Sequence, residues 1–277
     1  MKTLVVPIDF SPISLNAANY AAELARSIGA DLSLLHICLV PITTYGEVPY
    51  AVEHMGSYMS AAEEKILQVM NDLEKSTAGK VKIDTAVQMA ATVIGGLSNF
   101  CHSTNPYAVV MGSQGSSAIE RVFFGSNTIS AIRQLSCPVL AVPPGAKFAT
   151  IRKIGLACDL EKVDENIPFK QIKSLVTLFN AQLYILHINA EGVKGFTEEK
   201  TVETRSIQNL LYNLHPIYRF LDSDDIETGL EEFAETNKLD LLITVPKRHS
   251  VIDKIFHESH TKKLVLHTRM PVMAIHD

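Results

Sequence analysis

Apolar positions along the 277-residue chain fall into short continuous runs separated by stretches of helical periodicity. Thr3 to Ile8, Leu32 to Cys38, Tyr107 to Met111 and Val139 to Val142 are runs of strand length with little alternation. Parallel strands buried on both faces read this way. Val81 to Val87 alternates instead, through Val81, Ile83, Thr85 and Val87, and predicts one more strand. Between these runs, Ser14 is expected to cap a helix that carries Ala18, Ala22 and Ala25 on one face and stops at Gly29. Met59, Ala62, Ile66, Val69 and Leu73 recur at the spacing of an amphipathic helix, and residues 92–103 supply another. The segment from Leu39 to Gly56, with Pro41, Gly46 and Pro49, is expected to be a long connection of the kind that often carries function. Strand and helix alternate throughout, which predicts a parallel α/β sheet with right-handed crossovers.

The pattern then starts again. After the breaker-rich Pro143-Pro144-Gly145-Ala146-Lys147, the run Lys153 to Asp159 echoes Lys2 to Asp9. Leu183 to Ile188 echoes Leu32 to Ile37, and Met270 to Ile275 echoes Cys137 to Val142. A repeat at half the chain length implies two copies of one domain, expected at 1–146 and 147–277.

Candidate chemistry concentrates at the end of the fourth strand. Val109-Val110-Met111-Gly112-Ser113-Gln114-Gly115 runs on through Phe124 to Gly125-Ser126-Asn127, with glycines spaced G-x-x-G-x9-G-S. Glycine lets backbone N–H groups approach an anion closely, because no Cβ stands in the way. Ser126 is expected where a helix begins, where N–H groups lack intrahelical acceptors and carry the positive end of the helix dipole. A phosphate satisfies both. A plain strand-to-loop turn and an ordinary helix cap would use the same residues.

The glycine spacing after an apolar strand, followed by Cys137-Pro138-Val139-Leu140-Ala141-Val142, resembles the universal stress protein family. Leu4 to Pro12, Ala17 to Ala25 and Leu34-Leu35-His36-Ile37 are similar to that family's first strand, first helix and second strand. The resemblance covers residues 1 to about 145 and, more weakly, the rest of the chain. It implies two Rossmann-like α/β domains, each a five-stranded parallel sheet of order 3-2-1-4-5 with helices on both faces. Strands one and four are then adjacent where the winding reverses, and ligands bind outside the carboxyl ends of the strands at such a point.

In the family the glycine motif marks members that bind ATP. Carried over to this chain, the resemblance puts Pro7, Asp9 and Ile37 around the adenine and ribose. Met111, Gly112 and Gly115 then line the sugar and phosphate path, and Gly125, Ser126 and Asn127 hold the phosphates. Asn127 and Gln114 depart from the small apolar and the basic residue common in the family, and the lost charge at 114 would weaken binding or favour a less charged nucleotide. Magnesium is expected only as a bridge between ATP phosphates, since no carboxylate pair announces a dedicated site. The resemblance also implies domain pairing through the fifth strands, met here within one chain, with a homodimer as a further option.

The second copy differs where the motif should be: Val245, Arg248 and Glu258 stand at the places of Gly112, Gly115 and Gly125. Larger side chains and a like charge at a phosphate site predict that this copy does not bind ATP in the family manner. Asp222, Asp224 and Asp225 are read as the acidic start of a helix rather than a cation loop. His249, His257, His260 and His267 lack the H-E-x-x-H spacing, with a zinc site kept as the alternative to solvated histidines. His36 and His187 share one repeat position and are assigned no chemistry.

Composition narrows the function further. With 47% hydrophobic and 20% charged residues the chain can bury real cores, and a net charge of −5 with scattered Lys and Arg argues against nucleic acid. Cys38, Cys101, Cys137 and Cys158 form no close pair in sequence and are read as reduced thiols of a cytoplasmic protein. The first apolar run meets Asp9 too soon for a signal peptide, and no apolar stretch approaches the roughly 20 residues that span a bilayer. The lysine-bearing Walker loop is absent and no nucleophile stands with a base in sequence reach. An ATP-binding regulatory protein with an unidentified protein partner is therefore expected, ahead of a slow ATPase or a pure interaction module.

Overall fold

A computed structural model describes residues 2–40, 48–113, 124–160, 163, 167–189, 198–223, 225–246 and 269–276. The chain divides into two compact units, Met1–Phe148 and Ala149–Asp277.

In the first unit β1 (Thr3–Pro7), α1 (Pro12–Ile28), β2 (Asp31–Leu39), α2 (Val48–Ser76), β3 (Ile83–Ala90), α3 (Val93–Thr104), β4 (Ala108–Gly112), α4 (Phe124–Gln134) and β5 (Val139–Val142) follow one another. The strands lie in the order β3-β2-β1-β4-β5, and every pair among them is parallel. Val5, Val6, Leu32, Leu34, Leu35, Val109, Val110 and Val139 are fully enclosed between helices on both faces, which is why these strands read as unbroken apolar runs.

Local chemistry explains where the elements start. The cap of α1 is Ser11 rather than Ser14: its side chain accepts from the Ser14 N–H at 3.2 Å, and Pro12 occupies the first turn, where a missing N–H costs nothing. Gly29 ends the helix in the left-handed conformation at φ 64°, as expected. α2 begins at Val48, eight residues before the expected end of the connection, because Pro49 again falls in a first turn. Residues 41–47 of that connection lie outside the described residues. Thr92 caps α3 by accepting from the Gly95 N–H at 3.0 Å. β3 sits two residues later than its alternation suggested, with Val81 buried ahead of it.

In the second unit β6 (Lys153–Ala157), α5 (Phe169–Phe179), β7 (Gln182–Asn189), α6 (Glu198–Leu211), β8 (Ile217–Asp222), α7 (Ile226–Asn237), β9 (Leu241–Thr244) and β10 (Val272–Ala274) follow in the same alternation. Their order, β8-β7-β6-β9-β10, is again parallel at every pair and equals the first unit's order. Asp225 caps α7, accepting from the Thr228 N–H at 3.0 Å and its hydroxyl at 2.8 Å, so this acidic residue does the helix work expected of it. Asp224 and the four histidines from 249 to 267 lie outside the described residues. Among the described residues no group of three or more metal-binding side chains occurs, and no helix is long and apolar enough to cross a membrane.

Leu34 is fully enclosed in the middle of β2. Leu34→Ala is expected to cost about 2–5 kcal/mol of stability, read as a lower urea midpoint. A loss below about 1 kcal/mol would be too small for a residue packed on every side.

Candidate functional site

The switch from β1 to α1 builds the first wall of a crevice. Phe10 takes a left-handed φ of 65°, an uncommon conformation for a non-glycine residue, and turns the chain sharply after Asp9. His36 on β2 holds this turn, with its Nδ1 2.7 Å from the Ile8 carbonyl and its ring 4.7 Å from that of Phe10. The Lys65 ammonium of α2 also lies over the Phe10 ring, 5.8 Å from its centre. The strain at residue 10 is thus held in place by a hydrogen bond and by ring packing.

Asp9 projects from this turn. Close packing alone would raise its pKa, but hydrogen bonds from the Ser11 and Ser14 side chains and from the Ser11 N–H, the last at 2.9 Å, outweigh that and hold it below the ordinary value. The carboxyl is therefore ionised at neutral pH and acts only as an acceptor.

The opposite wall comes from β4 and α4. A Cβ placed on Gly112 would fall 2.3 Å from Cγ2 of Ile13 and 3.3 Å from its carbonyl oxygen. Glycine is required there by the approach of β4 to the first turn of α1, whether or not a ligand is bound. Thr128 on α4 donates to the Gly112 carbonyl at 2.7 Å and so ties the start of the helix to the end of the strand. Because α4 begins at Phe124, Gly125, Ser126 and Asn127 lie inside its first turn rather than ahead of it. The helix N-terminus, with its four N–H groups lacking intrahelical acceptors, is one turn earlier than expected.

These walls enclose an open cleft of about 120 Å³, well above the ~10–15 Å³ that one water needs. Pro7, Asp9, Ile37, Met111, Gly112 and Asn127 of the predicted site residues line it together. The structure adds Ser11, Ser14, His36, Val93 and Thr128. Sequence reasoning missed Val93 and Thr128, although Thr92 as a helix cap is a signal that would have placed Val93 at a strand-to-helix switch. Gly115 lies outside the described residues, as do Gln114 and the second copy's Arg248 and Glu258.

The second unit repeats the turn. Leu160 has φ 57° at the place of Phe10, and His187 lies with Nδ1 2.9 Å from the Cys158 carbonyl as His36 does to Ile8. Val245 follows β9 where Gly112 ends β4, and Thr244 takes the place of Met111.

Strand order and crevice define a doubly wound parallel α/β protein with its cleft where the winding reverses. Residues 1–143 match the model of the universal stress protein family, and the chain belongs to that family. It is 24% identical over 143 residues to a universal stress protein of Methanocaldococcus jannaschii, covering 51% of this chain and 81% of that one. A universal stress protein of Bacillus subtilis is likewise 24% identical over 143 residues, covering 50% of this chain and 97% of the relative. A solved universal stress protein of Archaeoglobus fulgidus is alike in fold over 99% of this chain and 96% of that chain, with a TM-score of 0.67 at 14% identity.

Two outcomes are expected at this site. Gly112→Ala forces Ile13 to move and should destabilise the first unit by about 1–3 kcal/mol, measured by urea denaturation. Asp9, with its folded pKa below its ordinary 3.8, contributes stability that is present above that value and lost as the pH falls through the folded one. Comparison of urea midpoints against pH should therefore show wild type ahead of Asp9→Asn at neutral pH and the gap closing in acid. A gap that widens in acid contradicts the assignment.

Proposed function

We propose that the first unit binds ATP in the cleft between β1, β2, β4 and α4 and serves as a nucleotide-sensing regulatory module of the stress response. The observation that carries this reading is the meeting of three unlike features in one cleft. Pro7, Ile37, Val93 and Met111 offer apolar surface to a flat base. Asp9, ionised and acceptor-only, suits the hydroxyls of a ribose or the exocyclic amine of adenine. The first turn of α4, tied to Gly112 through Thr128 just after it, offers the positive end of the helix dipole to phosphates. These residue types fit an adenine nucleotide, and magnesium, if it accompanies ATP, would bridge phosphate oxygens without a protein carboxylate pair.

Only the first unit is assigned nucleotide. With Val245 in place of Gly112, the second unit carries a branched side chain at the position where the first admits none.

The test is the identity and amount of nucleotide released from gently purified, denatured protein, with Gly125→Glu as the comparison. One adenine nucleotide per chain, lost in the variant without loss of thermal stability, is expected. Protein that carries none and takes up none on titration with ATP would leave the cleft as a fold feature and point to a pure interaction module. Release of ADP and phosphate at a steady rate that Gly125→Glu abolishes would instead make the protein a slow ATPase.

A further inference from the structure

β3 is the outermost strand of the first unit's sheet, bonded to β2 on one side and, among the described residues, to nothing on the other. Two bonds fix which of its backbone groups are left over. The Leu32 N–H donates to the Lys82 carbonyl at 2.9 Å and the Val40 N–H to the Ala90 carbonyl at 3.0 Å. Backbone direction alternates along a strand, so the even-numbered residues from Lys82 to Ala90 face β2. Ile83, Thr85, Val87 and Met89 therefore turn their N–H and C=O groups outward.

Edge strands are commonly guarded by brevity, proline, a bulge or a lysine in the strand. β3 has none of these. It runs for 8 residues without proline or glycine, Asp84 is the one charge within it, and it pairs with β2 without a break in register. Thr85 to Gln88 are half-buried, and Met89 is 49% exposed although Ile83 at the strand's other end is buried.

We propose that β3 pairs antiparallel with β3 of a second copy of this chain, across a two-fold axis at Ala86. In that register Ile83 lies opposite Met89 of the second copy and Thr85 opposite Val87, and the reverse. Every outward-facing residue then exchanges both of its backbone bonds with another that is outward-facing, so the edge satisfies itself. Moving the axis to Thr85 or Val87 sets Met89 or Ile83 opposite a residue beyond the strand.

The side chains agree with the same register. A Cβ on Gly96 would fall 3.0 Å from that of Ala90, so Ala90 faces α3, and with it Asp84, Ala86 and Gln88. On that face Ala86 meets its own copy at the axis, where a non-hydrogen-bonded pair brings Cα atoms within ~4.5 Å and a small residue fits. Asp84 meets Gln88, a carboxylate opposite an amide donor. Lys82 and Asp84, ion-paired at 3.2 Å, hold the charge at one end of the strand, and the antiparallel sense sets it against the uncharged end of the other copy. On the opposite face the exposed Met89 is covered by Ile83, and the β-branched Thr85 and Val87 stand side by side. None of these residues lines the cleft, so the interface stands apart from the nucleotide reading.

Sedimentation of the full chain under reducing conditions should show a dimer at high concentration that dissociates on dilution. Ala86→Cys reads the register. Under mild oxidation it should give a covalent dimer on a non-reducing gel, joined through residue 86 in the peptide map and released by dithiothreitol. Thr85→Cys and Val87→Cys stand diagonal to their own copies and should crosslink several-fold less. Ala86→Lys sets like charges opposite each other while leaving every backbone bond in place, and should weaken the dimer roughly tenfold or more. Thr85→Pro removes an outward N–H that β2 does not use and should have the same effect; if it fails to fold, Ala86→Lys decides. A chain that stays monomeric at every concentration overturns the proposal. So does a dimer in which Ala86→Cys fails to crosslink, or a folded Ala86→Lys protein that dimerises as the wild type does.

Discussion

The crevice of the first unit depends on one close approach, that of β4 to the first turn of α1. The methyl group of Ile13 fills the place that a Cβ of residue 112 would take, 2.3 Å away. Because this contact admits no side chain, the carboxyl ends of β1 and β4 can lie side by side at the point where the winding reverses. The Gly112 carbonyl, left pointing toward α4, is met by Thr128. The Ser11 cap, the ionised state of Asp9 and the start of α4 follow from that arrangement, since each is anchored to one side of the same contact.

The second unit separates what belongs to the fold from what belongs to the site. It keeps the left-handed residue after its first strand and the histidine bound to the preceding carbonyl. It also keeps a glycine where the third helix crosses the second strand: Gly229 lies against Ile188 as Gly96 lies against Ile37. These features recur where the glycine motif does not, so they serve the strand-to-helix turn rather than a ligand. His36 is accordingly a structural residue that happens to line the cleft. Gly112 is required by packing with or without a ligand.

Among the described residues every strand but β8 was legible as an apolar run or alternation, because each is decided by whether neighbouring residues face a core, a local property of sequence, whereas β8 has no fully buried residue to mark it. The repeat, the strand order implied by the family resemblance and the family itself were also within reach, as was the convergence of Pro7, Asp9, Ile37, Met111, Gly112 and Asn127. Boundaries were less secure where two residues competed for one role. Ser11 and Ser14 are both good caps, and Pro12 between them settled the choice only through the geometry of the first turn. Val48 starts a helix within a stretch whose prolines read as a loop, because proline is as much at home in a first turn as in a connection.

The amino-acid sequence by itself determined the alternation of buried strands and amphipathic helices, its duplication and the residue types at the ends of β1 and β4, since each follows from the periodicity and chemistry of adjacent positions. Tertiary structure alone decided which of those residues touch. The contact of Gly112 with Ile13 and the bond from Thr128 to the Gly112 carbonyl join residues whose proximity depends on how helices cross the sheet. No local pattern encodes such distances, because they are set by the packing of whole elements against one another rather than by the preferences of any one of them.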